Sequence, residues 1–269
     1  MPDVRPAAVA GMFYPHERSD LEHSVRALVD DAARRIDPHV PVPKALVLPH
    51  AGYVYSGSTA ALGYALLARA RDRVRRVVLL GPTHRVAVDG LALPESEAFS
   101  TPLGLVPVEP VDAETRAALP QLVDSAVTHA AEHSLEVHLP FLQVVLDGPT
   151  VLPLAVGRTH PDQVADVLDT FWGGTETVVV VSSDLSHYLP YDVAARIDRA
   201  TVEQILQLDG PLEPEQACGA APVNGLLVAA LRHGLLPRLL GMCSSGDTAG
   251  DRRRVVGYAA IGFDESARA

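Results

Sequence analysis

The segment Thr177–His187, TVVVVSSDLSH, decides the fold. Its threonine and run of valines give a β-branched stretch with no polar interruption. That is the pattern of a strand covered on both faces, not of a half-exposed meander. The run stops at Ser182 and Ser183, and a carboxylate and an imidazole follow in Asp184 and His187. Two earlier stretches repeat the design. KALVLP (Lys44–Pro49) runs into His50-Ala51-Gly52-Tyr53, and RRVVLL (Arg75–Leu80) runs into Gly81-Pro82-Thr83-His84. Open α/β sheets carry their sites beyond the carboxyl ends of the strands, so these endings predict one shared cleft at one sheet edge.

Outward from these runs the chain alternates. Ser58 to Ala70 is rich in Ala and Leu and predicts a helix. Further helices are predicted near Asp112–Asp124, from Glu136 to Leu146 across Pro140, over Pro161–Phe171, from Asp192 to Leu208 and over Pro222–Arg232. Thr150–Val156 and Arg254–Phe263 read as strands, and Val88–Val108 as minor strands with a surface excursion. No Pro/Gly/Ser-rich linker, repeat or heptad interrupts the pattern. The expectation is one domain over residues 1–269, an α/β/α sandwich around a central mostly parallel or mixed sheet. Its DESARA tail (Asp264–Ala269) is expected to fray.

Composition bounds the function. The 269 residues are 48% hydrophobic, enough for a large core without metal or disulfide staples. Lys+Arg number 22 against Asp+Glu 33, a formal charge of −11, which argues against a general nucleic-acid binder. The cysteines, Cys218 and Cys243, form no CxxC pair and point to a reducing compartment. The N-terminal stretch lacks the basic start and sustained apolar run of a signal peptide. No apolar stretch approaches the roughly 20 residues of a membrane span. A cytoplasmic protein with neither nucleic-acid nor membrane partners is expected.

The strand-end residues carry the chemistry. His50 and His84 stand 34 residues apart across one helix, and a strand–helix–strand unit can return the second strand beside the first. Paired imidazoles supply nitrogen ligands for Fe, Zn, Cu or Ni, or a hydrogen-bonded pair that only steadies a loop. Asp184 and His187 can meet in a turn, where the carboxylate orients an imidazole for proton transfer, or they can cap the next helix. EHSLEVHLP brings Glu132, His133, Glu136 and His138, without the HExxH arrangement of metalloproteases. His133 and His138 are candidates for a pocket wall, with a metal site shared with Glu136 as the weaker option. Tyr53 and Tyr55 offer a phenol and an aromatic wall, or strand-end packing. In MCSSGDTAGD, Asp247 can complete a two-His-one-carboxylate set with His50 and His84, and Cys243 offers a thiolate instead. P-loop, GxGxxG and GxSxG signatures are absent from the sequence.

In their order along the chain, AGMFYP (Ala10–Pro15), PHAGYVYSG (Pro49–Gly57), LGPTH (Leu80–His84), EHSLEVHLPFL (Glu132–Leu142), VVSSDLSH (Val180–His187), CGAAPVNG (Cys218–Gly225), SSGDTAGD (Ser244–Asp251) and VVGYAAIGF (Val255–Phe263) resemble the Memo family. The match is to its AmmeMemoRadiSam system protein B group and covers residues 5–263. That family is similar to the class III, LigB-type extradiol dioxygenases. The resemblance implies a buried cleft with metal ligands at His50, His84 and Asp247, and a proton-transferring His187 supported by Asp184. It implies Fe(II), with Zn or Cu as alternatives, and a dioxygenase-like oxidoreductase. A metal-dependent hydrolase and a phosphopeptide-binding module are the competing functions. For the binding module, Arg18, Lys44 and Arg85 are the basic candidates. The animal form has a cysteine at the position matching Asp247 and binds phosphotyrosine-containing segments. The group's name implies radical-SAM and AMMECR-type partners, beside a small-molecule or peptide ligand.

Overall fold

A computed structural model describes residues 3–265. The chain runs through β1 (Val4–Arg5), α1 (Arg18–Arg35), β2 (Ala45–Leu48), α2 (Ser58–Leu67) and β3 (Arg76–Pro82). Short elements follow: β4 (Leu91–Leu93), β5 (Ala98–Thr101), β6 (Gly104–Pro107), α3 (Ala113–Ala118), β7 (Leu122–Asp124), α4 (Ala126–Ala130) and α5 (Leu139–Val145). Then come β8 (Thr150–Val156), α6 (Pro161–Thr170), β9 (Thr177–Ser182), β10 (His187–Leu189) and α7 (Tyr191–Leu206). The last elements are α8 (Ala220–His233), β11 (Leu235–Ser244) and β12 (Val255–Glu265).

Among the described residues the main sheet has nine strands, in the order β10-β12-β2-β9-β3-β8-β4-β7, with β11 also on β12. The centre, β2-β9-β3-β8, is parallel, while β12 and β4 flank it antiparallel, so the sheet is mixed. A second small sheet joins β1, β5 and β6. β3 does not return directly beside β2, because β9 lies between them and pairs with both. The valine run thus takes a central position, with a neighbour along each edge and a helical layer over each face.

Successive residues of the parallel strands divide between two apolar layers, as the period of two requires. Leu46, Leu48, Val77, Leu79, Val178 and Val180 pack with α1, α2 and α5. Ala45, Val47, Val78, Leu80, Val179 and Val181 pack with α6, α7 and α8. Helices on both faces of a mixed sheet confirm the α/β sandwich. No helix among the described residues is long and apolar enough to cross a membrane.

Several elements depart from the sequence expectations. α1 was not anticipated, yet it buries Leu21, Val25, Val29 and Ala32 along one stripe. Burying a Val or Leu side chain contributes about 1.5–3 kcal/mol, so this stripe offsets a polar remainder. The helix expected over Asp112–Asp124 is only α3, because Leu119 precedes Pro120 and leaves helical geometry (φ −122°, ψ 74°). Leu122–Asp124 then pairs with β4 as strand β7. The tail expected to fray begins as β12, where Asp264 and Glu265 pair with Leu236 and Leu235. The rest of that stretch, 266–269, lies outside the described residues.

Candidate metal centre

The site forms where the central parallel strands end. Pro49 terminates β2, and the backbone N–H of His50 donates to Asp184 Oδ1 at 2.8 Å. Ser183 N donates to the Leu48 carbonyl at 2.9 Å, so the ends of β2 and β9 are tied together. His84 follows β3, and its N–H donates to Glu132 Oε2 at 2.6 Å. His133 comes from the segment between α4 and α5. The possible ligand atoms of His50, His84 and His133 all lie within 4.8 Å of one another. Ring centroids stand 5.1 Å apart for His50–His84, 5.5 Å for His50–His133 and 4.6 Å for His84–His133. Two strand spacings separate β2 from β3 by about 9.5 Å, so the side chains themselves close the gap.

What surrounds the rings suits a cation. Glu132 is buried, and its Oε1 lies 2.9 Å from His84 Nδ1 while accepting the His133 and Ser134 backbone N–H groups, each at 2.9 Å. Burial pushes its carboxyl up, but the donors of His84 and Ser134 outweigh burial and hold it at about 2. An ionised carboxylate behind a ligating histidine fixes the ring and raises its basicity. Burial lowers the pKa of His50 well below its ordinary value, and the neighbouring imidazoles lower it further. Burial and His84 bring His133 down to about 4. Both rings are therefore neutral at neutral pH and present lone pairs. Three imidazole donors, those of His50, His84 and His133, fit Fe, Zn or Cu. Cys218 Sγ lies 3.3 Å from His50 Nε2, a contact that no sequence feature had indicated.

The three imidazoles open into a cavity of about 760 Å³ that Phe13, Tyr55, Arg85, His187, Tyr188 and Arg254 help to line. Arg254 stacks over the Tyr188 ring at 5.1 Å. Tyr188 is held at φ +61°, an unusual conformation for a side chain of this size.

Some expected site residues lie elsewhere. Asp247 does not join the histidines: its carboxylate accepts from Tyr191 Oη (2.6 Å), Ser244 N (2.9 Å) and Ser244 Oγ (3.0 Å), which commits it to closing a turn. Cys243 pairs with Thr59 Oγ1 at 3.0 Å. Asp184 lines the cavity with His187, but its described partner is the His50 backbone rather than the His187 ring. Tyr53 is buried, donating its hydroxyl to the Val137 carbonyl at 2.7 Å and packing on Phe141. His138 is buried behind the cavity, between Tyr64 Oη (2.7 Å) and Ser182 Oγ (2.8 Å). Lys44 is spent on the backbone carbonyls of Trp172, Gly174 and Thr177. Arg18 borders a different hollow, whereas Arg85 stands at the cavity.

The His133 segment is anchored from the far end of the chain. Buried Arg5 pairs with Glu136 and donates to the His129 and Glu132 carbonyls at 2.9 and 2.6 Å. Close approaches add precision. A Cβ on Gly81 would sit 2.7 Å from Ser134 Oγ, whose hydroxyl donates to the Pro82 carbonyl. A Cβ on Gly219 would sit 2.5 Å from the Ser182 carbonyl, so only glycine lets α8 seat Cys218 beside His50.

Buried neutral histidines make stability depend on pH. Burial lowers His129 from 6.5 to about 4 and His138 to about 3, and His133 falls to about 4. The unfolded chain therefore binds more protons below pH 6.5, so their contribution is full above that pH and is lost as pH falls through the folded values. Asp184, raised to about 7 by burial, works in the opposite sense and loses its contribution as pH rises through that value. Metal-free protein should lose stability between pH 6.5 and 4. His129→Gln, whose amide can still donate to the Ala92 carbonyl, should flatten that limb by on the order of 3 kcal/mol. Urea melts across this range check it; an unchanged slope would count against His129.

Two strand-end imidazoles and a third from the α4–α5 segment, converging on an open cavity, define an α/β protein with a potential three-histidine metal site. The chain belongs to the Memo-like protein family, whose model matches residues 5–262. It is 35% identical over 275 residues to a MEMO1 family protein of Methanosarcina barkeri, covering 96% of this chain and 99% of that protein. A MEMO1 family protein of Methanopyrus kandleri is also 35% identical, with 96% and 98% covered. One from Metallosphaera sedula is 31% identical, with 97% and 99% covered.

Proposed function

We propose that His50, His84 and His133 hold one divalent metal, Fe(II) before Zn or Cu, and that the cavity performs a dioxygenase-like oxidation of a small anionic ligand. The observation that carries this reading is the convergence of three imidazoles on a cavity that His187 also lines. When bound, Fe(II) supplies Lewis acidity and redox chemistry with oxygen. The chain's own residues do the rest. Burial lowers the pKa of His187, so its ring is neutral and takes up a proton from the ligand at a free nitrogen. Asp184 holds the His50 backbone in place. Arg85 and Arg254, which make no ion pair among the described residues, attract an anion, while Phe13, Tyr55 and Tyr188 offer apolar surface. The two unpaired cysteines support a reducing, cytoplasmic setting, and the sequence resemblance supports radical-SAM and AMMECR-type partners.

Oxygen consumption tests the proposal. Protein loaded anaerobically with Fe(II) and offered a panel of hydroxylated aromatic acids should consume oxygen in step with product. His187→Ala should abolish turnover while metal content stays unchanged. Turnover that persists without oxygen would make the protein a hydrolase, for which an all-histidine set has precedent at catalytic zinc. Saturable phosphotyrosine-peptide binding without turnover would make it a binding module.

A further inference from the structure

Ser182 ends the valine strand and is wholly buried, and its hydroxyl has three partners. Its oxygen lies 2.7 Å from the Ser134 carbonyl, 2.6 Å from His50 Nδ1 and 2.8 Å from His138 Nε2. A serine hydroxyl owns one proton and two lone pairs, and a carbonyl only accepts. The proton therefore goes to Ser134 O, since otherwise two oxygens would face each other at 2.7 Å with no hydrogen between them. Both lone pairs are then left to accept. His50 must carry its proton on Nδ1 and His138 on Nε2. The remaining contact agrees, because His138 Nδ1 is then an acceptor and the Tyr64 hydroxyl donates to it at 2.7 Å. Burial keeps His138 neutral and the Tyr64 hydroxyl protonated, so each ring has one proton to place.

We propose that Ser182 is a positioning residue that locks His50 in the Nδ1–H tautomer and so presents the bare Nε2 to the metal. This rests on the three-histidine metal reading and gives His50 the counterpart of what Glu132 gives His84. The two rings are held by different chemistry: a carboxylate accepts from His84, and a neutral hydroxyl, itself oriented by a backbone carbonyl, accepts from His50. The Cys218 thiol lies 3.3 Å from His50 Nε2 and has the Asp184 carbonyl, 3.7 Å away, as a second acceptor. It can therefore yield the nitrogen to a cation. An imidazole free to choose its tautomer would spend part of its population with Nε2 protonated and unable to ligate.

Nitrogen-15 spectra of the histidine rings in metal-free protein test this directly, with His50→Gln identifying the His50 signals. His50 should show a protonated Nδ1 and a bare Nε2, and His138 the reverse. Ser182→Ala should leave His50 a mixture of tautomers and lower Zn²⁺ affinity about 10- to 100-fold in chelator competition, the usual effect of losing such a partner. Tyr64→Phe removes a hydroxyl that reaches only His138, so it should leave the His50 tautomer and Zn²⁺ affinity unchanged. A wild-type His50 protonated at Nε2 would overturn the proposal whether or not any variant folds. So would a Ser182→Ala protein with unaltered tautomer and affinity, or an equal affinity loss in Tyr64→Phe, which would make general core packing the cause. If His50→Gln itself leaves Zn²⁺ binding intact, the metal reading fails; if it weakens binding while the wild-type tautomer is wrong, only the role of Ser182 falls.

Discussion

Replacing Glu136 with alanine should lower folding stability by about 3–5 kcal/mol, the usual cost of breaking a buried ion pair from one side. Its carboxylate accepts from Arg5, from the Tyr14 hydroxyl and from the backbone N–H groups of Ala8 (2.8 Å) and Val9 (3.0 Å). Alanine would leave all these donors buried together, with the Arg5 guanidinium unpaired among them. For a chain of this size the melting temperature should fall by on the order of 10 °C. Arg5→Met combined with Glu136→Ala should be milder than Glu136→Ala alone, because removing the cation removes the larger part of the cost. The loss should also reach the candidate centre, since Arg5 ties down the His129 and Glu132 carbonyls that lead into His133. Zn²⁺ affinity should therefore drop in Glu136→Ala even though Glu136 is not among the clustered donors. Thermal melts and chelator competition give both readouts. A cost below about 1 kcal/mol would mean that water reaches these groups and the clamp is slack.

The same clamp explains why part of the site could be read from the sequence and part could not. Thr177–Ser182, Ala45–Leu48 and Arg76–Pro82 announce themselves because strands covered on both faces need unbroken apolar runs, and a polar ending then marks the sheet edge. The edge is where His50 and His84 come together. His133 carries no such mark. Its backbone N–H is held by Glu132, and the turn that bears both is fixed by Arg5, distant in sequence. Asp247 was indicated by its residue type and by resemblance, yet Ser244 claims its carboxylate through an i, i+3 capping box and Tyr191 through a contact distant in sequence. Ser182 looks like an ordinary strand-end or cap residue until its three partners are placed around it. β11 stayed hidden for a related reason: LLPRLLGMCS holds a proline and a glycine, is largely half-exposed, and becomes a strand through its long pairing with β12. α1 is different. Leu21, Val25, Val29 and Ala32 keep helical spacing, a signal present in the sequence and legible without any tertiary contact.

The two candidate ligand sets are separated by their variants. The resemblance implies His50, His84 and Asp247, whereas the geometry gathers His50, His84 and His133. His50→Ala and His84→Ala should abolish stoichiometric Zn²⁺ binding under either set, so they test the site and not the choice. His133→Ala should weaken binding by at least about 100-fold if its ring is a ligand, while Asp247→Asn, whose oxygen can still accept from Ser244 and whose amide can donate to the Tyr191 hydroxyl oxygen, should leave stoichiometry unchanged. Stability offers an independent readout, because a ligand at 100 times its dissociation constant stabilises the folded state by about 2.7 kcal/mol. Wild type and Asp247→Asn should show that increment on adding Zn²⁺, and the three histidine variants should not. The opposite pattern, loss in Asp247→Asn with retention in His133→Ala, would require the Ser244–Asp247 turn to open when metal arrives. That opening has a definite cost: the buried Ser244 N–H and hydroxyl would each lose a charge-assisted partner, worth about 1.5–3 kcal/mol apiece, while the Tyr191 hydroxyl, in an exposed contact, would exchange its carboxylate for water. His133 needs no such rearrangement, since its ring already stands 4.6 Å from His84 and 5.5 Å from His50, and that difference in cost is why the three-histidine set is expected to hold the ion.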